Sequence, residues 1–306
     1  MHPGIYLAGD DQSDVFSGID PQSLSLCHPS WNKDVSLFHP WTARQDDGSQ
    51  PVLQKTWVAE GYGGDARIWV VGTCTSTMEV ARHMISVGRM GPWSSVMAVR
   101  QTAGRGQRGR NWISPAGNIY ATVYWRLDDE QSAPYRNIAS LLAGDMLAYV
   151  FGQSGIDAFV KWPNDIVRNN RKISGILVEE REGHLLVGIG INLVSAPKAA
   201  MLDDDFVLPA ACLDPESASF SPLVFWEKLV TMGRARLEGI IATMTPEQFV
   251  RELEHRLAWT GADIRVRQGA AAPFQARLLG LAPDGGLKIQ RDGHAEVLYT
   301  ATIRPL

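Results

Sequence analysis

The chain has 306 residues, 45% of them hydrophobic and 20% charged, with a formal net charge of −4. That is the composition of an ordinary globular protein, long enough for one large domain and a smaller one. A net negative charge argues against a protein built around nucleic-acid backbones, which carries a basic excess. No apolar run approaches a membrane span, and the N-terminus lacks a basic-then-apolar signal segment. Cys27, Cys74 and Cys212 stand far apart, with no disulfide or metal-cage spacing even when His28 and His39 are added. Reduced thiols in a cytoplasm are expected, and no metal set from the protein alone.

Residues 1–65 carry Pro3, Pro21, Pro29, Pro40 and Pro51 among many Asp, Ser and Gly residues, which breaks any helical period. Trp31, Phe38, Trp41 and Trp57 are nevertheless too apolar for a free tail. The expectation is an irregular arm laid on the main domain, without a helix-turn-helix. Arg67–Val71 reads as a strand, and Thr77–Val87 as a helix with Met78, Ala81, Met84 and Ile85 at helical spacing. Val96–Val99 is a strand, and Asn118–Leu127 alternates like a half-buried one. Pro134 can open a helix with Ile138, Leu141, Leu142 and Leu147 as its buried stripe. Strands follow at Ala158–Trp162, Ile166–Arg168, Lys172–Glu180 and Leu185–Val194, with Glu182-Gly183 as a tight turn between the last two. Two helices come next, Pro222–Ile241 and Pro246–Leu257, the second capped by Thr245 with Gln248 placed for a capping box. Beyond Trp259 only short strands and turns remain, which suggests a small β-barrel. The order implies an α+β fold with an appended all-β module.

Between Gly104 and Arg110 three arginines and three glycines share seven residues. Such a segment cannot bury an apolar face. Glycines let the backbone approach a ligand, and arginines offer planar, permanently charged forks for carboxylate or phosphate. By itself it reads equally as a solvated basic patch. Four further segments carry polar groups at element ends. Thr75-Ser76-Thr77-Met78 starts a helix, where hydroxyls either cap the backbone or bond a ligand head. Lys161-Trp162-Pro163-Asn164-Asp165 gathers three polar side chains around a Trp-Pro elbow. Arg171–Glu179 brings a lysine into an apolar strand with a glycine three residues on, as if the charge faced a site. Gly188-Ile189-Gly190-Ile191-Asn192-Leu193 leaves room beside its strand, and it is not a dinucleotide fingerprint, since no helix with a third glycine follows.

Taken in this order, Ser76-Thr77, GRGQRGRNW, KWPND, RKISGILVE and GIGINL closely resemble the catalytic domain of biotin–protein ligases, strongly over 67–194 and by pattern beyond. The resemblance implies a mixed β-sheet with flanking helices and a C-terminal SH3-like barrel: an arm over 1–65, a catalytic domain over 66–258 and a barrel over 259–306. It implies that biotin is activated as biotinyl-5′-AMP with MgATP and transferred to a lysine of a biotin carboxyl carrier domain, in a monomer or homodimer. Ser76, Thr77 and Gln101 would bond the ureido end of biotin. Arg105, Gly106 and Gln107 would lie along its tail, Gly175 would allow close approach, and Lys172 would hold the carboxylate and then the bridging phosphate. Trp112 would cover the adenylate, with Arg108 and Arg110 neutralising the triphosphate. Lys161, Asn164 and Asp165 would surround the adenine and phosphates, Asp165 near the incoming lysine, with Asn192 by the ribose. The catalytic set implied is Lys172, Arg105, Lys161 and Asp165.

Two departures qualify the resemblance. Many members carry a third arginine where this chain has Gln107, so adenylate retention is expected to rest more on Lys172, Arg105 and Arg108. The N-terminal region lacks the DNA-binding pattern of some members, which implies a ligase without a repressor role. The neighbouring possibilities are a lipoate–protein ligase-like enzyme and a non-catalytic biotin-sensing regulator.

Overall fold

The computed structural model describes residues 2–9, 14–45, 55–181, 183–198, 206, 208–213 and 220–306. In chain order the strands are β1 (Gly4–Ala8), β2 (Trp41–Gln45), β3 (Lys55–Ala59), β4 (Arg67–Cys74), β5 (Ser94–Gln101), β6 (Ile119–Trp125), β7 (Phe159–Lys161) and β8 (Asp165–Arg168). They continue as β9 (Arg171–Arg181), β10 (His184–Ile191), β11 (Asp263–Arg267), β12 (Phe274–Leu281), β13 (Leu287–Arg291), β14 (His294–Leu298) and β15 (Thr302–Pro305). The helices are α1 (Pro21–Cys27), α2 (Pro29–Leu37), α3 (Thr77–Ser86), α4 (Ala139–Gln153), α5 (Pro222–Thr243) and α6 (Pro246–Leu253). Two compact units result: Met1–Arg126 with Gly175–Ala196 and Cys212–Arg234, and Leu127–Ser174 with Pro197–Ala211 and Ala235–Leu306.

In the first unit a mixed sheet runs β2-β3-β1-β4-β5-β6-β10, followed by the later part of β9. β1 and β4, and β4 and β5, pair parallel, while β5 with β6 and β6 with β10 pair antiparallel. The run Ile68–Val71 is wholly buried, as expected of a β-branched strand covered on both faces. β6 differs from its expected half-burial, because Ala121 and Val123 and also Tyr120 and Thr122 are all inside. Both faces of the strand are therefore covered, and its alternation of apolar with hydroxyl-bearing residues does not mark an exposed side. α3 starts at Ser76, whose hydroxyl accepts from the Met78 amide, and lays Met78, Ala81 and Met84 against Trp69, Val71, Val96 and Ala98. Each of the two methionines contributes about 1.5–3 kcal/mol on leaving water.

The expected irregular arm instead holds, among the described residues, three strands and two helices. β1 pairs with both β3 and β4, so the boundary placed at residue 65 falls inside one sheet. The prolines that seemed to break helices begin them: Pro21 follows the cap Asp20, which accepts from Ser23 N at 2.9 Å, and Pro29 follows the cap His28. Proline suits the first helical turn, where its missing N–H has no partner to lose.

Asp34 of α2 is fully buried and accepts from Leu223 N at 2.9 Å and Val224 N at 3.2 Å. It caps the start of α5 across the unit. Burial pushes its carboxyl up to about 7, against the pull of these amides and Ser221. A raised carboxyl favours the protonated fold, so its stability contribution is complete below the unfolded value near 4 and is lost as pH rises through about 7. Wild type should therefore lose about 2–3 kcal/mol relative to Asp34→Asn between pH 5 and pH 8. Urea unfolding of both proteins at the two pH values measures this, and a constant gap refutes it.

The second unit holds the first residues of β9 beside β8, and β8 beside β7, the last pair a tight hairpin matching Lys161 with Asp165. Helix formation after Pro134 begins later than expected. Ala133–Ile138 is a 3₁₀ turn and α4 proper opens at Ala139. α4 is apolar nearly all round and buried, and the absence of a side chain at Gly144 lets it approach Val160. Asp145, inside α4, is held by Arg236 at 3.0 Å and Arg256 at 2.7 Å. α6 carries the expected Thr245–Gln248 capping box. The C-terminal strands form an antiparallel sheet of order β14-β13-β12-β11-β15. Its core of Ile264, Val266, Leu278, Leu287, Ile289 and Ile303 is buried at alternating positions. Glu182 of the expected Glu182-Gly183 turn lies outside the described residues. Among the described residues no helix is long and apolar enough to cross a membrane.

Candidate functional site

In the first unit the end of β5, the start of α3 and β6 bring polar side chains together. Gln101 Oε1 accepts from the Thr77 amide at 2.9 Å and from Thr77 Oγ1 at 3.3 Å, while its Nε2 donates to Ser114 Oγ at 3.1 Å. Thr122 Oγ1, buried in β6, donates to Thr77 Oγ1 at 2.9 Å. Ser76 and Thr77 are each 3% exposed. The cluster fixes the orientation of one amide and three hydroxyls at a helix N-terminus, where backbone N–H groups and the helix dipole favour electron-rich ligand atoms.

The Arg/Gly segment is an ordered turn. Gly106 N donates to Arg110 O at 2.8 Å and Trp112 N to Gly104 O at 2.8 Å, with Arg105 bridged to Asn111. Gln107–Gly109 forms its tip, where Arg108 and Gly109 adopt positive φ of 58° and 72°. The tip arginines Arg108 and Arg110 are exposed. Arg105 instead pairs with Glu79 from the first turn of α3. Glu79 also takes Arg82 Nε at 3.2 Å, and Arg82 reaches Glu179 at 2.8 Å. The hydrogen bond and charge of Arg82, with the charge of Arg105, outweigh partial burial and hold the Glu79 carboxyl below its ordinary value. The expected space beside β10 is filled from within: a side chain on Gly190 would overlap the Trp112 indole, and one on Gly188 would press on Met78 Sδ at 3.1 Å. Asn192, at the end of β10, is buried, and its carbonyl accepts from Leu213 N at 3.0 Å. Gly175 lies partly buried in β9.

In the second unit KWPND is the β7–β8 hairpin, with a cis Trp162–Pro163 peptide. Lys161 Nζ and Lys172 Nζ lie 2.7 and 2.6 Å from opposite oxygens of Asp165. The Lys161 and Asp165 side chains are 7% and 12% exposed, and that of Lys172 is 24% exposed. Burial opposes the charge on Asp165, but the two ammonium groups outweigh it and hold the carboxyl well below the usual range. Two ammonium groups held on one carboxylate concentrate fixed positive charge in a sheltered place, which suits an anionic ligand. Asn164 sits beside it in the turn, partly buried.

Sequence reasoning singled out Thr77 and Gln101, which bond each other beside the helix cap Ser76, and Lys161, Asp165 and Lys172, which share one ion-pair cluster. It missed Glu79, Thr122 and Ser114. Glu79 carried a usable signal in its i,i+3 spacing to Arg82, whereas Thr122 is one hydroxyl in a buried strand and shows itself only through register. Among the described residues no group of three or more His, Cys, Asp or Glu side chains could hold a metal ion.

The model of the biotin/lipoate A/B protein ligase family matches residues 71–194. The chain is 40% identical over 114 residues to the bifunctional ligase/repressor BirA of Salmonella typhimurium, and it spans about a third of that relative, 35% of each protein being covered. It is 34% identical over 183 residues to the biotin–[acetyl-CoA-carboxylase] ligase of Paracoccus denitrificans, covering 58% of this chain and 75% of that protein. In fold it is similar to the biotin protein ligase from Aquifex aeolicus in complex with biotin and ATP, with a TM-score of 0.65 and 22% identity over 78% of this chain and 99% of that one. With these matches, and with the Arg/Gly turn, KWPND and the Lys172 strand on the elements just described, the chain belongs to the biotin protein ligase family.

Proposed function

We propose that this chain is an ATP-dependent ligase that activates biotin as biotinyl-5′-AMP and transfers the acyl group to a lysine of a biotin carboxyl carrier domain. The observation that carries the reading is the sheltered Lys161–Asp165–Lys172 cluster, two ammonium groups on one carboxylate. Attack of a biotin carboxylate oxygen on the α-phosphorus of ATP brings two anions together and expels pyrophosphate. Fixed positive charge in a dry setting is what lowers that barrier. The carrier amine then attacks the acyl carbon and AMP departs. No protein nucleophile is needed, and burial pushes the Cys74 thiol up to about 12, which leaves it inert.

Lys172 takes the carboxylate and later the bridging phosphate, with Lys161, Asn164 and Asp165 on the adenine and phosphate side. Ser76, Thr77 and Gln101 take the ureido ring, whose donors and acceptors suit a fixed amide and hydroxyls. Arg105, Gly106, Gln107 and Gly175 follow the tail, Arg108 and Arg110 the phosphates, Trp112 the adenylate and Asn192 the ribose. Magnesium enters with the nucleotide as part of the substrate. The catalytic work belongs to the chain up to residue 258, with a barrel at 259–306, in a cytoplasmic enzyme.

Melting scans test the reading: biotin should raise Tm, and biotin with MgATP should raise it much further, since a ligand at 100 times its Kd adds about 2.7 kcal/mol. An equal rise with lipoate, or none with biotin, overturns it.

A further inference from the structure

The indole of Trp162 donates from Nε1 to the carbonyl of Gly285 at 2.9 Å. Trp162 is the second residue of KWPND and is 3% exposed, whereas Gly285 lies in the turn between β12 and β13 of the C-terminal sheet. That turn is itself fixed: Gly285 N donates to Ala282 O at 2.8 Å, Ala282 N to Gly286 O at 2.7 Å, and Gly286 N to Asp284 Oδ1 at 3.1 Å. Tyr299 at the end of β14 donates to the other Asp284 oxygen at 2.7 Å. The chain entering the sheet is bonded to the β7–β8 hairpin through Ala258 N to Val160 O at 2.8 Å, and to the next turn, between β8 and β9, through Trp259 Nε1 to Asn170 Oδ1 at 2.8 Å. On its other side the elbow is held by Ser140, which donates to Pro163 O at 3.0 Å.

We propose that the Asp284–Gly286 turn of the C-terminal sheet is a working part of the reaction centre, positioning Lys161 and Asp165 through the Trp162 indole. Trp162 is the covalent neighbour of Lys161, and the hairpin it belongs to has only three residues in its leading strand. A hairpin that short has few bonds of its own, so its geometry is set by what it leans on. A buried indole N–H requires an acceptor, and here the acceptor is supplied by the C-terminal sheet, so the place of the elbow is tied to that turn. The glycine is required where it stands: Gly285 has φ of 87°, and a side chain there would meet Leu141 Cδ1 at 2.9 Å and Ile138 Cγ2 at 3.0 Å. Trp162 and Gly285 are positioning residues, since neither needs to touch a reactant.

The inference rests on the ligase reading, and its test separates the two. Substituting Trp162 with 3-benzothienylalanine keeps the ring shape and replaces only the N–H with sulfur. Biotin-dependent exchange of pyrophosphate into ATP should lose about 10- to 100-fold in kcat, the cost of a misplacement near 1 Å. KM for biotin should stay within twofold and Tm within a few degrees. Gly285→Ala should move kcat in the same direction. A kcat within twofold of wild type in the folded isostere overturns the proposal. If wild type shows no biotin-dependent exchange, the ligase reading fails by itself. The link is then read from the ¹³Cγ resonance of Asp165 under acid titration, whose midpoint rises in the isostere if the elbow has loosened and is unchanged if Trp162 only packs.

Discussion

Lys172→Gln should reduce biotin-dependent exchange of pyrophosphate into ATP by about a thousandfold while leaving the protein folded. The magnitude is that of removing one preorganised charge or donor from a transition state that concentrates negative charge. The folding half follows from the charge count. Lys161 is 2.7 Å from Asp165 and is untouched by the change, so the carboxylate keeps a partner and the cation removed is the more exposed of the two. Stability should change by no more than about 1 kcal/mol, because a charge in a sheltered place costs nearly what its pairing returns. Lys172→Arg keeps the charge but places it on a longer, planar fork that does not substitute for a compact ammonium, and partial activity is expected. Exchange rates and urea unfolding on the three proteins check both halves. Activity of Lys172→Gln above a tenth of wild type would mean that Lys172 does not hold the reacting carboxylate and phosphate.

Much of the site was legible in the sequence because it was written in local chemistry. KWPND and RKISGILVE hold lysines beside an aspartate in short, strand-forming stretches, and the hairpin that unites Lys161 with Asp165 follows from four residues of spacing. The β4–α3 junction was legible through its hydroxyl cap and apolar period. Residues 1–65 differ from the expected irregular arm because proline, a breaker inside a helix, also starts one, and because β1 is five residues long and defined only by pairing with β3 and β4. Long-range partners left no local trace at all. Asp34 is separated from Leu223 by 189 positions and Trp162 from Gly285 by 123, so neither bond can be read without the fold. The room expected beside β10 was a correct reading of glycine with the wrong occupant, since the Trp112 indole fills the space at Gly190.

Asp165→Asn should be the more damaging change to the fold, although it removes one charge from the same cluster. Without the carboxylate, two ammonium groups that lay 2.6 and 2.7 Å from it face each other in a buried setting. Breaking a buried pair by removing one partner costs about 3–5 kcal/mol, and here the orphaned groups also repel. The expected gap to wild type at pH 7 is of that size by urea unfolding. Its pH dependence has a definite sign. The Asp165 carboxyl is held below its ordinary value, so its contribution is complete above about pH 4 and is lost as pH falls below that. The gap should therefore narrow by about 1 kcal/mol on reaching pH 3, and a gap that widens in acid contradicts the pairing. Asp165→Asn with Lys161→Met separates stability from chemistry. The double change leaves a single cation, so it should recover most of the lost stability, because well-packed apolar replacements of buried pairs are often neutral. It should recover none of the activity, since Lys172 would stand without the carboxylate that orients it. Recovery of both would mean that Asp165 serves only to neutralise its neighbours.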